Sequence, residues 1–152
     1  MLQTARHRQQ ALPSRFAYLM GMYAENYWRL TRVFGPERLT LGRFLSKAGD
    51  GLDLTLEVLE QHPYTLDMRL SYLFHDEHSG HPDPSAHVRL YRDARMAEVT
   101  ACYVSQRLED VLGRFPSPKV AVDHRLRMSS FLGKWLEYLE QQGHSRFTLN
   151  PA

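Results

Sequence analysis

The chain has 152 residues, of which 43% are hydrophobic and 24% charged, and its formal net charge is only +2. This length and balance predict one globular domain with its own core and leave too little chain for two ordinary domains. No apolar run approaches the ~20 residues of a membrane-spanning helix, and the small, unclustered charge does not favour nucleic acid as a partner.

The N-terminus and the cysteine content bear on the cellular compartment. Residues 1–12 have no periodic apolar pattern, so we expect a frayed segment followed by a single α+β domain over residues 13–152. The N-terminus lacks the continuous apolar core of a secretory signal. Cys102 is the single cysteine, which excludes an internal disulfide framework and is typical of a reducing cytoplasm. We therefore expect a cytoplasmic protein in which Cys102 is packed rather than reactive.

The first predicted element is a helix that begins after Ser14 and ends at Gly35. Ser14 is a suitable N-cap, and Pro36 cannot continue the helix. Between them the apolar residues recur at helical spacing: Phe16, Leu19, Met20, Tyr23, Tyr27, Leu30 and Phe34. The aromatic stripe of Tyr23, Tyr27 and Trp28 could line a ligand pocket, but such a stripe is more typical of core packing.

Three strands are predicted next. Residues 38–47 suggest a short strand, and residues 52–60 and 64–74 alternate between apolar and polar. With a loop over residues 61–63, the predicted register sets Leu54, Leu56 and Val58 opposite Leu70, Met68 and Leu66. The same register sets Glu57 opposite Asp67, a like-charge pair that Arg69 would relieve. Paired carboxylates also serve in acid/base or metal chemistry, but the neighbouring arginine favours a structural role here.

The segment after the third strand is rich in histidine. His75, His78 and His81 stand three residues apart, with acidic residues among them, and these are ligand types that zinc and nickel accept. A loop rich in glycine and proline does not fix ligand geometry as a helix does. We therefore expect no functional metal here and no cofactor elsewhere, although adventitious metal binding by these histidines is the open alternative.

Residues 86–103 predict a second hairpin with a four-residue turn over residues 92–95. The predicted cross-strand pairs are Tyr91 with Met96, Leu90 with Ala97, Arg89 with Glu98, and Val88 with Val99. Val88, Leu90, Ala97, Val99 and Ala101 would share the buried face. On the other face Arg89 and Glu98 would form an ion pair, which is either a solvated contact or a device that holds Arg89 for a carboxylate or phosphate ligand.

A final helix completes the predicted fold. Asp123 can cap this helix, whose apolar stripe ends at Gly143 and consists of Met128, Phe131, Leu132, Trp135, Leu136 and Leu139. The order of helix, antiparallel strands and helix predicts an α+β domain. In this domain an antiparallel sheet of four to five strands, built from two hairpins, packs against an N-terminal and a C-terminal helix.

The second hairpin also resembles a known family. Its residues Val88-Arg89-Leu90-Tyr91-Arg92-Asp93-Ala94 and Ala97-Glu98-Val99 are similar to those of the YqiB-like family of small, uncharacterised bacterial proteins. Further similar elements are Phe115-Pro116, Asp123 and the helix residues 131–136. The resemblance runs from about Leu19 nearly to the end of the chain. It departs after Asp123, where the family pattern implies an acidic, a basic and then an amide residue but His124, Arg125 and Ser129 stand here.

The family implies no assigned activity, and the common enzyme motifs are missing: there is no GxSxG, P-loop, GxGxxG, HExxH or paired CxxC. We therefore expect a non-catalytic binding or adaptor module that recognises a protein or a phosphate-bearing small molecule. The candidate ligand-binding residues are Arg89, Tyr91, Arg92, Asp93, Glu98 and Asp123. The alternative is a small enzyme acting on a nucleotide-like or phosphorylated substrate, with these carboxylates as acids or bases and the arginines binding the anion.

Overall fold

The computed structural model describes residues 14–49, 51–73, 84–104, 106–107 and 117–152. The predicted frayed segment, the histidines of residues 75–81 and Phe115-Pro116 lie outside these residues. The described helices are α1 (Arg15–Val33), a short 3-10 helix (Pro36–Arg38) and α2 (Pro118–Gln141). The described strands are β1 (Gly42–Ser46), β2 (Leu54–Gln61), β3 (Thr65–Tyr72), β4 (Ser85–Tyr91), β5 (Met96–Val104), β6 (Gln106–Arg107) and β7 (Leu149–Pro151).

The strands form one antiparallel sheet in the order β6-β5-β4-β3-β2-β1-β7. The predicted α+β class is confirmed, but the predicted four to five strands are too few. The additional strands, β6 and β7, have two and three residues, which is too short for an alternating pattern to reveal. β7 pairs with β1, so the chain beyond the last helix extends the sheet at that edge.

Helix α1 begins and ends as predicted. The Ser14 side chain accepts a hydrogen bond from the backbone N–H of Ala17 at 3.1 Å, and Gly35 adopts a left-handed φ of 56° just before Pro36. Tyr27 is buried, but Trp28 is 54% exposed, so the prediction of a fully packed aromatic stripe is wrong at Trp28. Adjacent helical residues lie 100° apart, and Trp28 therefore lies at the outer border of the buried face.

The register between β2 and β3 differs from the predicted one by two residues. Leu54, Leu56 and Val58 lie opposite Tyr72, Leu70 and Met68. Because side chains alternate with a period of two, this shift leaves the same residues in the core. It also corrects the predicted like-charge pair. Glu57 lies opposite Arg69, whose NH2 group donates to Glu57 Oε2 at 2.7 Å.

The β2–β3 pairing also contains a bulge between Val58 and Glu60, where the register changes by one residue. After the bulge, Glu60 rather than Glu57 lies opposite Asp67. A like-charge pair therefore exists in this sheet, three residues from the place that the sequence predicted.

The β4–β5 hairpin has the predicted register at all four pairs from Val88–Val99 to Tyr91–Met96. Arg95 closes the turn with a left-handed φ of 54°. A second bulge follows, since Val88 pairs with Val99 but His87 pairs with Ala101. It reverses the alternation, so Cys102, 3% exposed, enters the core in place of the predicted Ala101, which is half-buried.

Helix α2 begins earlier than predicted. Ser117 is the N-cap and accepts from the Val120 N–H at 3.3 Å, and Pro118 occupies the first turn. Asp123 therefore lies inside the helix and is not its cap. The predicted apolar stripe faces the sheet: Trp135 Nε1 donates to the Tyr72 hydroxyl at 3.1 Å, and the two rings make an edge contact.

The two helices also pack against each other. Asn26 Nδ2 of α1 donates to the Ser129 carbonyl of α2 at 2.8 Å, and Gly133 faces this contact. Both helices and the sheet contribute to one buried apolar cluster on a single face of the sheet. Within the described residues, neither helix combines the length and apolar character that crossing a membrane requires.

Candidate functional site

Glu98 on β5 is hydrogen-bonded through its carboxylate to side chains of both helices. Its carboxylate accepts hydrogen bonds from the Tyr91 hydroxyl at 3.0 Å, from Arg125 NH1 at 2.8 Å and from the Tyr23 hydroxyl at 3.4 Å. Its side chain is 18% exposed. Two predicted site residues, Tyr91 and Glu98, are therefore in contact. The sequence placed Tyr23 in the aromatic stripe and marked Arg125 only as a departure from the family pattern. It did not connect them to Glu98, from which they lie 75 and 27 residues away along the chain.

The electrostatics of this cluster keep its hydroxyls neutral. Burial, together with the nearby Glu98 carboxylate, raises the pKa of Tyr91. Burial also raises the pKa of Tyr23, and the contact with Arg125 opposes part of that change. The Tyr23 hydroxyl beside the guanidinium raises the pKa of Arg125. With neutral and cationic donors on both of its oxygens, Glu98 acts as a hydrogen-bond acceptor that fixes these elements together.

Arg89 lies opposite Glu98 as predicted, but it does not form the predicted ion pair. Its Nε donates instead to Asp67 Oδ1 on β3 at 2.8 Å. Donors from both helices and from Tyr91 already occupy the Glu98 carboxylate. Arg89 therefore donates to Asp67, its cross-strand neighbour on β3. The contacts with Asp67 and Tyr91 raise the pKa of Arg89. Arg89 is therefore a partner of Asp67 within the sheet.

A cluster of possible metal ligands lies next to this ion pair. Glu60, His62 and Asp67 place one ligand atom each within 4.8 Å of one another, and His62 Nε2 lies 3.0 Å from Glu60 Oε2. An open groove of about 260 Å³ adjoins Glu60 and Asp67. Since Arg89 already neutralises Asp67, its guanidinium would compete with a cation for this carboxylate. The sequence could not show the cluster, because the bulge in β2 creates it.

The remaining predicted carboxylates have local structural contacts. Asp93 Oδ1 accepts from the Ala94 N–H at 2.9 Å and so stabilises the hairpin turn. Asp123 forms an ion pair with Arg15, which links the first turns of α1 and the early part of α2. Neither contact involves Arg89, Tyr91 or Glu98, so the structure does not join all six predicted residues into one site.

Arg92 differs from the other predicted residues. It is half-buried, and its Nε is buried without a hydrogen-bond acceptor in the described part of the chain. Its backbone N–H donates to the Tyr64 carbonyl at 2.8 Å, which joins the β4–β5 turn to the β2–β3 turn. The neighbouring Arg95 places its guanidinium 5.8 Å from the centre of the Trp28 ring.

Most arginines in the described residues have an acidic partner. Seven of them form ion pairs with carboxylates: Arg15, Arg29, Arg32, Arg43, Arg69, Arg89 and Arg125. No described carboxylate lies within ion-pair distance of Arg92 or Arg95. With two arginines and one carboxylate, that of Asp93, the turn between β4 and β5 therefore presents a net positive charge.

Exposed aromatic side chains lie beside this turn. Trp28, whose ring lies near Arg95, is 54% exposed, and Tyr64, whose carbonyl accepts from the Arg92 N–H, is 68% exposed. Together with Arg92 and Arg95 they form what we call the arginine–aromatic surface. The sequence indicated Arg92 as a candidate but not Tyr64, and it assigned Trp28 to the core. The exposure of Trp28 could have been predicted from its position directly after Tyr27, outside the main apolar stripe of the helix.

These features define a class of protein, an α+β fold in which two helices cover one face of an antiparallel sheet and polar side chains occupy the other. The chain belongs to the family described as protein of unknown function (DUF1249), which matches residues 29–145. The match begins within α1 and includes the strands β1 to β6 and all of α2. Comparisons with curated proteins and with solved structures found no match.

Proposed function

We propose that this protein is a non-catalytic binding module that recognises a phosphate or carboxylate group of its ligand through Arg92. A cytoplasmic location, a bacterial origin and membership of the YqiB-like group belong to the same proposal. The residue pattern of positions 88–94, which lies within the segment that matches the family model, supports the bacterial origin and the YqiB-like membership, and the single cysteine supports the cytoplasmic location.

The unpaired guanidinium of Arg92 carries the proposal. A buried donor without an acceptor costs about 1–3 kcal/mol, and more when the group is charged. The side chain as a whole is only half-buried, so an anion that reaches the guanidinium and supplies an acceptor offsets part of that cost. The planar fork of arginine matches the two oxygens of a carboxylate or a phosphate, so these are the anionic groups that Arg92 suits best.

The state of the carboxylates favours binding over catalysis. A general acid or base has to be available to the substrate. Glu98 already accepts from three donors, Asp123 is paired with Arg15, and one oxygen of Asp93 is bonded within its own turn. The alternative of a small enzyme acting on a phosphorylated substrate therefore has less support than a binding module.

The proposal is tested by thermal unfolding with increasing inorganic phosphate, pyrophosphate and citrate. The variants are Arg92→Ala and, as a matched control, Arg127→Ala, which removes an exposed arginine on α2. Specific binding raises the unfolding temperature of the wild type and of the control. The Arg92→Ala variant should lose at least about tenfold in apparent affinity, corresponding to 1.4 kcal/mol.

The Arg92 side chain has no hydrogen-bond or ion-pair partner in the described residues, and alanine keeps the backbone bond to Tyr64, so Arg92→Ala should leave the protein folded without ligand. A lost response then reports binding and not unfolding. An equal response of both variants would mean non-specific screening by the anion, and no response of the wild type to any of the three anions would contradict the proposal.

A further inference from the structure

We infer that the arginine–aromatic surface binds an acidic segment of another protein that also carries apolar side chains. The inference rests on the proposed function, because it takes Arg92 as the anion-binding residue and names the kind of partner that supplies the anion.

The position of the surface in the fold is the first step. Antiparallel pairing brings the β2–β3 turn and the β4–β5 turn to the same end of the sheet. The start of β1 lies at this end too, and Gln61 Nε2 fixes it there by donating to the Leu39 carbonyl at 2.6 Å. Helix α1 adds Trp28, which lies against Arg95. Side chains from separate parts of the chain thus lie at the same end of the sheet.

The second step is the composition of that face. Single exposed apolar residues are common on protein surfaces and do not by themselves indicate a binding site. Here Trp28 and Tyr64 are more than half exposed beside two arginines. Tryptophan, tyrosine and arginine are the residues that contribute most to binding at protein interfaces. A small anion would contact the arginines and leave the aromatic rings in water, whereas a peptide with apolar side chains would cover both.

The third step is the charge. After helix α1, Glu37 Oε1 accepts from the Tyr27 hydroxyl at 2.5 Å, and the ion pairs of the described residues include none between Glu37 and either arginine of the turn. The turn also contains Asp93, one oxygen of which accepts from the Ala94 N–H, so Arg92 and Arg95 leave the turn with a net positive charge. An acidic partner segment satisfies this charge complementarity, and the aromatic rings favour a segment in which apolar residues accompany the acidic ones.

The inference is tested by measuring binding to an array of short synthetic peptides. In this array the number of glutamates and the number of phenylalanines vary independently. The protein is used as the full chain, and the array is repeated with Arg92→Ala, Trp28→Ala and Tyr64→Ala. Phe147→Ala is the matched control, because Phe147 is an 82% exposed aromatic residue beside Arg146. Phe147 follows α2, near the opposite end of the sheet, where Ser46 and Thr148 are hydrogen-bonded.

We expect binding to require both glutamate and phenylalanine in the peptide. The Trp28→Ala and Tyr64→Ala variants should each bind such peptides roughly tenfold more weakly, as expected for interface hot spots, while Phe147→Ala binds like the wild type. Circular dichroism of each variant shows that it is folded.

Two results would overturn the inference. If peptides of glutamate alone bind as well as the mixed peptides, or if Trp28→Ala and Tyr64→Ala bind normally, the partner is not an acidic and apolar segment on this surface. Phosphate binding that depends on Arg92 would then leave the proposed function intact. If neither peptides nor phosphate depend on Arg92, both the inference and the proposed function are wrong.

Discussion

Arg89 and Arg92 lie three positions apart on one hairpin and have different surroundings. Arg89 neutralises Asp67 within the sheet, whereas Arg92 has a buried Nε without an acceptor in the described residues. Their sequence context gives no sign of this difference, because the partner of Arg89 lies on a neighbouring strand. At the level of single residues, the hydrogen-bond partner therefore decides which arginine is available to a ligand.

The hydroxyl of Tyr91 predicts a pH dependence of stability. Its pKa is raised above the ordinary value of 10.0, by burial first and then by Glu98, so the native state favours the neutral hydroxyl. The resulting stabilisation is complete below pH 10 and is lost as the pH rises through the raised pKa. The variant Tyr91→Phe should therefore lose less stability than the wild type above pH 10, as measured by urea unfolding from pH 8 upwards.

The exposed Tyr64 provides the comparison for this experiment. The Tyr64→Phe variant should follow the wild-type pH curve. A Tyr91→Phe curve identical to that of the wild type would mean that the Tyr91 hydroxyl makes no pH-dependent contribution to stability.

At the scale of elements, α2 shows how much a helix pattern predicts. The apolar stripe indicated its buried face correctly, with Leu132, Leu136 and Leu139 fully buried. Its first residue was predicted too late, because Asp123 and Ser117 are both good caps and only the chain path selects Ser117. A stripe depends on periodicity alone, whereas a boundary depends on which of several local signals the tertiary structure uses.

Trp135 tests the packing of α2 on the sheet. It is 5% exposed, and its indole N–H donates to Tyr72. The Trp135→Ala variant should lose roughly 3–5 kcal/mol of unfolding free energy, as large-to-small core substitutions do, when measured by urea denaturation. A loss below about 1 kcal/mol would mean that this face of α2 is not part of the core.

Gly133 tests the contact between the helices. A Cβ atom at this position would lie 2.6 Å from Arg29 NH1 and 3.0 Å from Asn26 Oδ1. Arg29 can move, but Asn26 is held by its hydrogen bond to Ser129. We expect Gly133→Ala to destabilise the protein by roughly 1–3 kcal/mol, the range for overpacking, despite the better helix propensity of alanine.

Gly21 on α1 is the matched control for Gly133. No atom lies within 4 Å of the position that its Cβ would occupy, so Gly21→Ala should stabilise the protein by about 0.5–1 kcal/mol through helix propensity alone. Equal changes for the two substitutions in thermal or urea unfolding would contradict close packing at Gly133.

On the scale of the whole molecule, Glu98 connects α1, α2, β4 and β5 through its three donors. The Glu98→Gln variant should therefore lose roughly 1–3 kcal/mol of unfolding free energy, the cost of leaving charged and buried donors with a weaker acceptor. Arg89→Ala, which breaks a 44% exposed ion pair, should lose only about 0–1 kcal/mol. Urea unfolding of both variants gives the comparison, and a larger loss for Arg89→Ala would show that Asp67 and not Glu98 is the main polar junction.

The sequence by itself determined the fold class, the two long helices, the buried faces and the register of the β4–β5 hairpin. These follow from local periodicity, capping and turn length, which act over a few residues. The tertiary structure alone decided the β2–β3 register, the choice of Asp67 as the partner of Arg89 and the junction at Glu98. It also decided the assembly of Trp28, Tyr64 and Arg92 into one surface. Bulges and contacts between distant segments set these features, and no local pattern encodes them.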